Sequence, residues 1–113
     1  MQFESTTLPG DVTQLTLTGR LDVMGTQAIE QPFSFATTLR PGNILLDLSG
    51  VTFLSSIGIR LLITSARAQA NRGGKLVLAA PQPMVRKVLE MAGIDQLISI
   101  YDDVATAHAG LAG

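Results

Sequence analysis

The 113 residues carry eight basic and nine acidic side chains, a net charge of −1, and 46% of them are apolar. That is enough apolar surface for one self-supporting core, read here as a single domain over residues 1–113. It comes without the basic excess on which nucleic-acid binding mostly depends, and without an apolar run long enough to span a bilayer. The absence of cysteine excludes disulfides, thiol catalysis and cysteine metal sites, and 4% aromatic content is too little for a stacking platform on single strands.

The opening Met1-Gln2-Phe3-Glu4-Ser5 has neither a basic n-region nor an apolar h-region, so no signal peptide is expected and the protein is expected to be cytoplasmic. Phe3 to Thr7 and Val12 to Gly19 read as two strands joined by a turn at Leu8-Pro9-Gly10-Asp11. The second strand alternates Leu15 and Leu17 with Thr16 and Thr18, and the pair predicts an N-terminal hairpin. Gly19-Arg20-Leu21-Asp22 is expected to turn the chain into a helix from Thr26 to Leu39, with Ala28, Ile29, Phe33, Ala36 and Leu39 on its face. Pro32 removes a helical hydrogen bond, so it either kinks that helix or delays its start.

Arg40-Pro41-Gly42-Asn43 reads as a turn, and Ile44 to Leu48 as a strand buried on both faces and ended by Ser49-Gly50. From Ile57 onward the spacing becomes helical, with Ile59, Leu62, Ile63, Ala66 and Ala70 on one face and Arg60, Arg67 and Arg72 away from it. Those arginines form either a solvated face or a rim that pairs with an acidic partner. Asn71-Arg72-Gly73-Gly74 stops the helix, and Lys75 to Ala79 is the next strand. Strand, helix, strand with short links implies a parallel pair with a right-handed crossover, which puts the preceding serines at the carboxyl edge of the sheet. Pro81 to Pro83 opens a further helix faced by Val85, Val88, Leu89 and Ala92; Gly93 closes it and Ile94 packs back. Ile98 to Tyr101 is expected as the last strand, after which Asp102 or Asp103 caps a short helix that frays into the glycine- and alanine-rich end.

Ser55 and Ser56 stand where the central helix begins. Helix starts favour serine because their first backbone N–H groups have no intrahelical acceptor and a side-chain oxygen can supply one. The same N–H groups would also stabilise an added phosphate, so capping and phosphorylation both remain open for the pair. Catalytic readings find less support. His108, the lone histidine, reads as a solvated residue of the tail, and Leu54-Ser55-Ser56-Ile57-Gly58 lacks the first glycine of a hydrolase elbow. Gly73-Gly74 ends a helix where a phosphate-binding loop would open one. The spacing of Asp22, Asp47, Asp102 and Asp103 matches no loop that would gather them around a divalent ion, and no metal or other cofactor is expected.

Four segments, in order, give the chain a family resemblance: Leu17-Thr18-Gly19-Arg20-Leu21-Asp22; Leu45 through Arg60; Arg72-Gly73-Gly74-Lys75-Leu76; and Val88-Leu89-Glu90-Met91-Ala92-Gly93-Ile94. Over nearly its whole length the chain resembles the STAS family, and in particular the small single-domain anti-sigma factor antagonists. The resemblance implies an α/β fold: a mixed sheet of four to five strands with about four helices, an N-terminal hairpin and then βαβ units. It implies a non-enzymatic binding protein that holds a serine-kinase anti-sigma factor and so frees a sigma factor. The kinase, an ATPase of histidine-kinase-like fold, would switch it off by phosphorylating the serine at the motif position, Ser56, and a PP2C-type phosphatase would restore it. Ser55 is a second candidate acceptor. Asp22, Ser55, Ser56, Ile57, Gly58 and Arg60 would meet the partner, and a homodimer is compatible with the family. The best-known form of the motif reads Asp-Ser-Ser/Thr-Gly; here Ser55 stands in the aspartate place and Ile57 in that of the second hydroxyl residue. The alternative is a structural STAS subunit of a larger lipid-transport or stressosome-like complex, in which Ser56 is only a cap.

Overall fold

A computed structural model describes residues 1–39 and 42–112, so Arg40 and Pro41 of the expected turn, and the side chain of Leu39, lie outside the described residues. Strands β1 (Gln2–Leu8), β2 (Val12–Leu21), β3 (Asn43–Leu54), β4 (Leu76–Ala79) and β5 (Ile100–Tyr101) form one sheet in the order β1-β2-β3-β4-β5. The hairpin β1–β2 is antiparallel, with Phe3 opposite Leu17, and every later pair is parallel. Helices α1 (Val23–Leu39), α2 (Ser56–Asn71), α3 (Pro83–Met91) and α4 (Val104–Ala112) make up the rest, with a single 3₁₀ turn at Ile94–Gln96. The mixed sheet and four helices expected from the sequence are present.

Parallel strands need crossovers, and stepping always to the next strand with one hand places successive helices on one side of the sheet. Accordingly Ile29 and Phe33 of α1, Leu61 and Leu62 of α2, and Val85 and Leu89 of α3 share a core with Leu15, Leu17, Leu46 and Leu78. On the opposite side Ala107 of α4 packs with Val12, Leu45, Val77 and Ala79. Phe3 and Phe33 meet edge to face at 6.2 Å, which fastens the hairpin to α1.

Several boundaries differ from the sequence expectation. Helix α1 begins at Val23 rather than Thr26, because Asp22 caps it, and it runs on through Pro32. Strand β3 does not stop at Ser49-Gly50. Its twelve residues pair with ten of β2 through register shifts at Thr16/Thr18 and Gly19/Arg20. The first shift absorbs Ser49, whose N–H donates to Asp47 Oδ1 at 2.9 Å, so residues suited to a turn make a bulge instead. The α2 stripe also turns: Leu61, Leu62, Ser65 and Gln69 are buried, Ile59, Ile63 and Ala66 are partly so, and Ala70 is exposed. Gln69 is wholly buried and donates to the Gly42 carbonyl at 2.7 Å, so a polar residue fills a core position by satisfying buried backbone. Strand β5 starts two residues late, since Leu97 and Ile98 still donate to the Ile94 carbonyl.

The helix ends match the glycine signals. Gly73 is left-handed, and Gly73 and Gly74 donate to the carbonyls of Ala70 and Gln69. Gly93 is left-handed too, and Ile94 behind it is fully buried. Among the described residues α4 stays helical to Ala112 instead of fraying from Ala109. Asp103 caps α4 through Thr106 N–H at 2.7 Å, and His108 Nε2 sits 2.8 Å from the Pro9 carbonyl oxygen. His108 is therefore a docking residue that ties α4 to the β1–β2 turn, and not the solvated one expected.

Candidate functional site

β2 and β3 end side by side, at Leu21 and Leu54, and these two residues are register partners. Helices α1 and α2 thus start next to each other at the carboxyl edge of the sheet, where open α/β sheets gather their binding sites. Asp22 is the cap of α1: Gly25 N–H donates to its Oδ1 at 2.8 Å, and Arg20 Nε lies 3.5 Å from Oδ2. The Gly25 hydrogen bond, helped by Arg20, holds the Asp22 carboxyl below its ordinary range. The Arg20 guanidinium also lies over the Phe53 ring, 4.4 Å from its centroid, and couples the ends of β2 and β3 on the outer surface.

Ser55 caps α2, with its Oγ accepting from Gly58 N–H at 3.3 Å. The same hydroxyl donates to the Leu21 carbonyl at 2.6 Å and the Ser55 amide donates to it at 2.9 Å. Both capacities of that hydroxyl are occupied, and the residue is half-buried. Ser56, one residue on, is the first helical residue, is exposed, and its hydroxyl has no hydrogen-bond partner among the described residues. The two adjacent hydroxyls are thereby divided in role: one holds the junction, the other faces solvent.

Gly58 is buried against β2. A Cβ there would meet the Leu21 carbonyl oxygen and Leu54 Cδ1 at 3.0 Å, so its absence lets α2 approach the strand end. Ile57 is 36% exposed and Arg60, a turn after Ser56, is exposed. The same edge also exposes Val23, Met24, Phe53 and Met84. Apolar side chains clustered around an edge of this kind mark a surface that another protein can cover. Of the residues expected at the site, Ser55 and Gly58 meet Leu21 and Asp22 caps α1 one residue further on, whereas Ser56, Ile57 and Arg60 are exposed.

Between α1 and α2 lies a groove of about 250 Å³, walled by Thr26 and Glu30 on one helix and by Ile57, Arg60 and Thr64 on the other. Thr26 is 3% exposed and its Oγ1 has no hydrogen-bond partner among the described residues. The sequence reading missed Asp22 as a cap and missed Thr26 altogether. An Asp before an apolar-periodic stretch signals the first; nothing local signals the second.

Arg72 and the acidic residues Asp47, Asp102 and Asp103 are engaged elsewhere, while Arg67 is exposed. Arg72, though exposed, donates to the Thr37 carbonyl at 2.9 Å and to Gln69 Oε1 at 2.8 Å, tying the end of α2 to α1. Asp102 pairs with Arg86 at 3.0 Å, while Asp22 and Asp103 cap different helices and Asp47 serves the bulge. No helix among the described residues is long and apolar enough to cross a membrane.

Known proteins share this fold. The anti-sigma-F factor antagonist RsfB of Mycobacterium tuberculosis is 24% identical over 102 residues, covering 90% of this chain and 83% of its own. The crystal structure of an anti-sigma factor antagonist from Mycobacterium paratuberculosis superposes with a TM-score of 0.90 at 22% identity, over 99% of this chain and 94% of that one. The Bacillus cell fate determinant SpoIIAA in its phosphorylated form has a TM-score of 0.67 at 22% identity, over 88% of this chain and 90% of its own. At these identities the two solved structures share the fold. The model of the STAS domain matches residues 4–107, and the chain therefore belongs to the STAS domain family.

Proposed function

We propose that this protein is an anti-sigma factor antagonist: it binds a serine-kinase anti-sigma factor, frees the sigma factor, and is switched off by phosphorylation of Ser56. The observation that carries this is the division between the two serines. Ser55 is held in the cap and on Leu21, while Ser56 stands exposed with an unengaged hydroxyl amid exposed apolar side chains. Relatives named as anti-sigma factor antagonists support the role, and a phosphorylated form of a protein with this fold supports the switch.

In the switching step Ser56 Oγ attacks the γ-phosphorus of ATP held by the kinase. The bond to the β–γ bridging oxygen breaks, ADP leaves, and the hydroxyl proton is released. The product carries roughly −1.5 to −2 charges where Val23, Met24, Ile57 and Phe53 must be desolvated for docking. Burying that charge in an apolar contact opposes binding without disturbing the core behind it. A PP2C-type phosphatase hydrolyses the ester and restores the docking surface.

The test is a pull-down from the native host with tagged wild type and tagged Ser56→Asp, with mass spectrometry of partners and bait. The expected result is a histidine-kinase-like ATPase held by wild type and lost from Ser56→Asp, with phosphate on Ser56 in part of the wild-type bait. A scaffold or transporter held equally by both baits would overturn the proposal.

A further inference from the structure

We propose that Arg60 captures the phosphate once it is on Ser56, leaving the groove between α1 and α2, so that the modification is felt on the flank of the domain as well as at the loop. This rests on Ser56 being the modified residue. Ser56 and Arg60 are four residues apart on one helix, the spacing at which side chains meet. Arg60 lines the groove in the unmodified chain, and a long helical side chain can lean toward the N-terminus, which brings its head within reach of the turn that Ser56 begins.

Arg60 is also uncommitted. It makes no ion pair or hydrogen bond among the described residues, whereas Arg20 is held by Asp22 and Phe53, Arg72 by Thr37 and Gln69, and Arg86 by Asp102. Arg67 is likewise unpaired but lies two turns further along α2. The helix cap itself is partly used, since Ser55 already accepts from Gly58 N–H. A tethered phosphate therefore needs a further donor, and the planar fork of a guanidinium suits phosphate oxygens in a bidentate manner.

Glu30, across the groove from Arg60, is the acidic group that competes for it. It makes no ion pair with Arg60 in the unmodified chain. A phosphate of roughly twice its charge, tethered one turn from Arg60, outcompetes a single carboxylate on a neighbouring helix. Asp22 and Arg20 at the end of β2 are the other charged groups at this edge, and they are paired with each other.

Phosphoserine installed at position 56 of the full chain during translation tests the clamp without any kinase. ³¹P NMR then follows the second ionisation of the phosphate in wild type, Arg60→Ala and Arg60→Lys. Arg60→Ala is expected to raise that pKa by about half a unit, roughly a threefold change in proton affinity, and Arg60→Lys by less. Amide signals of Thr26 and Glu30 are expected to shift on phosphorylation of wild type and to stay in place in Arg60→Ala. Because Arg60 is exposed, circular dichroism should confirm an unchanged fold. An identical phosphate pKa in wild type and Arg60→Ala, or groove signals that move equally in both, would overturn the clamp. A clamp that passes these measurements while wild type and Ser56→Asp hold the same partners would uphold it and overturn the switch.

Discussion

The amide and the hydroxyl of Ser55 both donate to one acceptor, the carbonyl oxygen of Leu21, at 2.9 and 2.6 Å. Leu21 ends β2 and Ser55 precedes α2, so this pair of hydrogen bonds latches the junction of β2 and α1 to that of β3 and α2. The two helix starts cannot move independently, and Ser56 is presented from a fixed base.

Ser55→Ala removes the cap on α2 and one of the two donors to Leu21. The expected cost is about 1–2 kcal/mol, in the range of lost serine caps, read as a lower urea midpoint at unchanged slope. Ser56→Ala, at an exposed position with no partner, should stay within about 0.5 kcal/mol of wild type. Equal losses in the two variants would contradict the division of roles.

Helical propensity alone says that Gly58→Ala should stabilise α2 by about 1 kcal/mol. The Leu21 carbonyl and Leu54 side chain, each 3.0 Å from the added Cβ, argue the other way. Overpacking against backbone is expected to prevail, with a net loss of about 1–2 kcal/mol and a melting temperature several degrees lower. A raised melting temperature would mean that the junction has slack.

Thr26→Val replaces a buried hydroxyl without a partner by a methyl group of similar shape. Losing an unsatisfied polar atom from the core is expected to be neutral or to stabilise by up to about 1 kcal/mol, the reverse of most polar-to-apolar changes at hydrogen-bonded sites. Thermal melts of the two proteins decide it; a loss above about 1 kcal/mol would reveal a bond to that hydroxyl in solution.

Asp22 provides a pH test. Its carboxyl, held below the usual value of 3.8 chiefly by Gly25 N–H and then by Arg20, binds fewer protons folded than unfolded. The stability it adds is therefore fully present above the unfolded value and is lost as pH falls through the folded one. Asp22→Asn keeps an oxygen acceptor for the cap but cannot titrate. Melting temperatures of the two proteins should differ most above the unfolded value of 3.8 and converge as pH falls through the lower folded one. A difference that stays constant across that range would show that the charge plays no part.

Sequence alone determined the features that depend on neighbours within a few residues. The hairpin follows from the alternation around Leu15 and Leu17, α3 from the spacing of Val85 and Leu89, and the helix stops at Gly73 and Gly93 from their tolerance of left-handed backbone. The four quoted segments likewise pointed to the family, because motifs are carried by residue order. Only the tertiary structure decided that Ser49-Gly50 is a bulge rather than a strand end, that Gln69 is buried, that His108 docks on Pro9, and that Ser55 rather than Ser56 caps α2. Each of these turns on a partner distant in the chain: Thr18 for Gly50, Gly42 for Gln69, Pro9 for His108 and Leu21 for Ser55. Local periodicity and capping rules act within about one helical turn, whereas strand register and the choice between two adjacent hydroxyls are settled by what the fold brings against them.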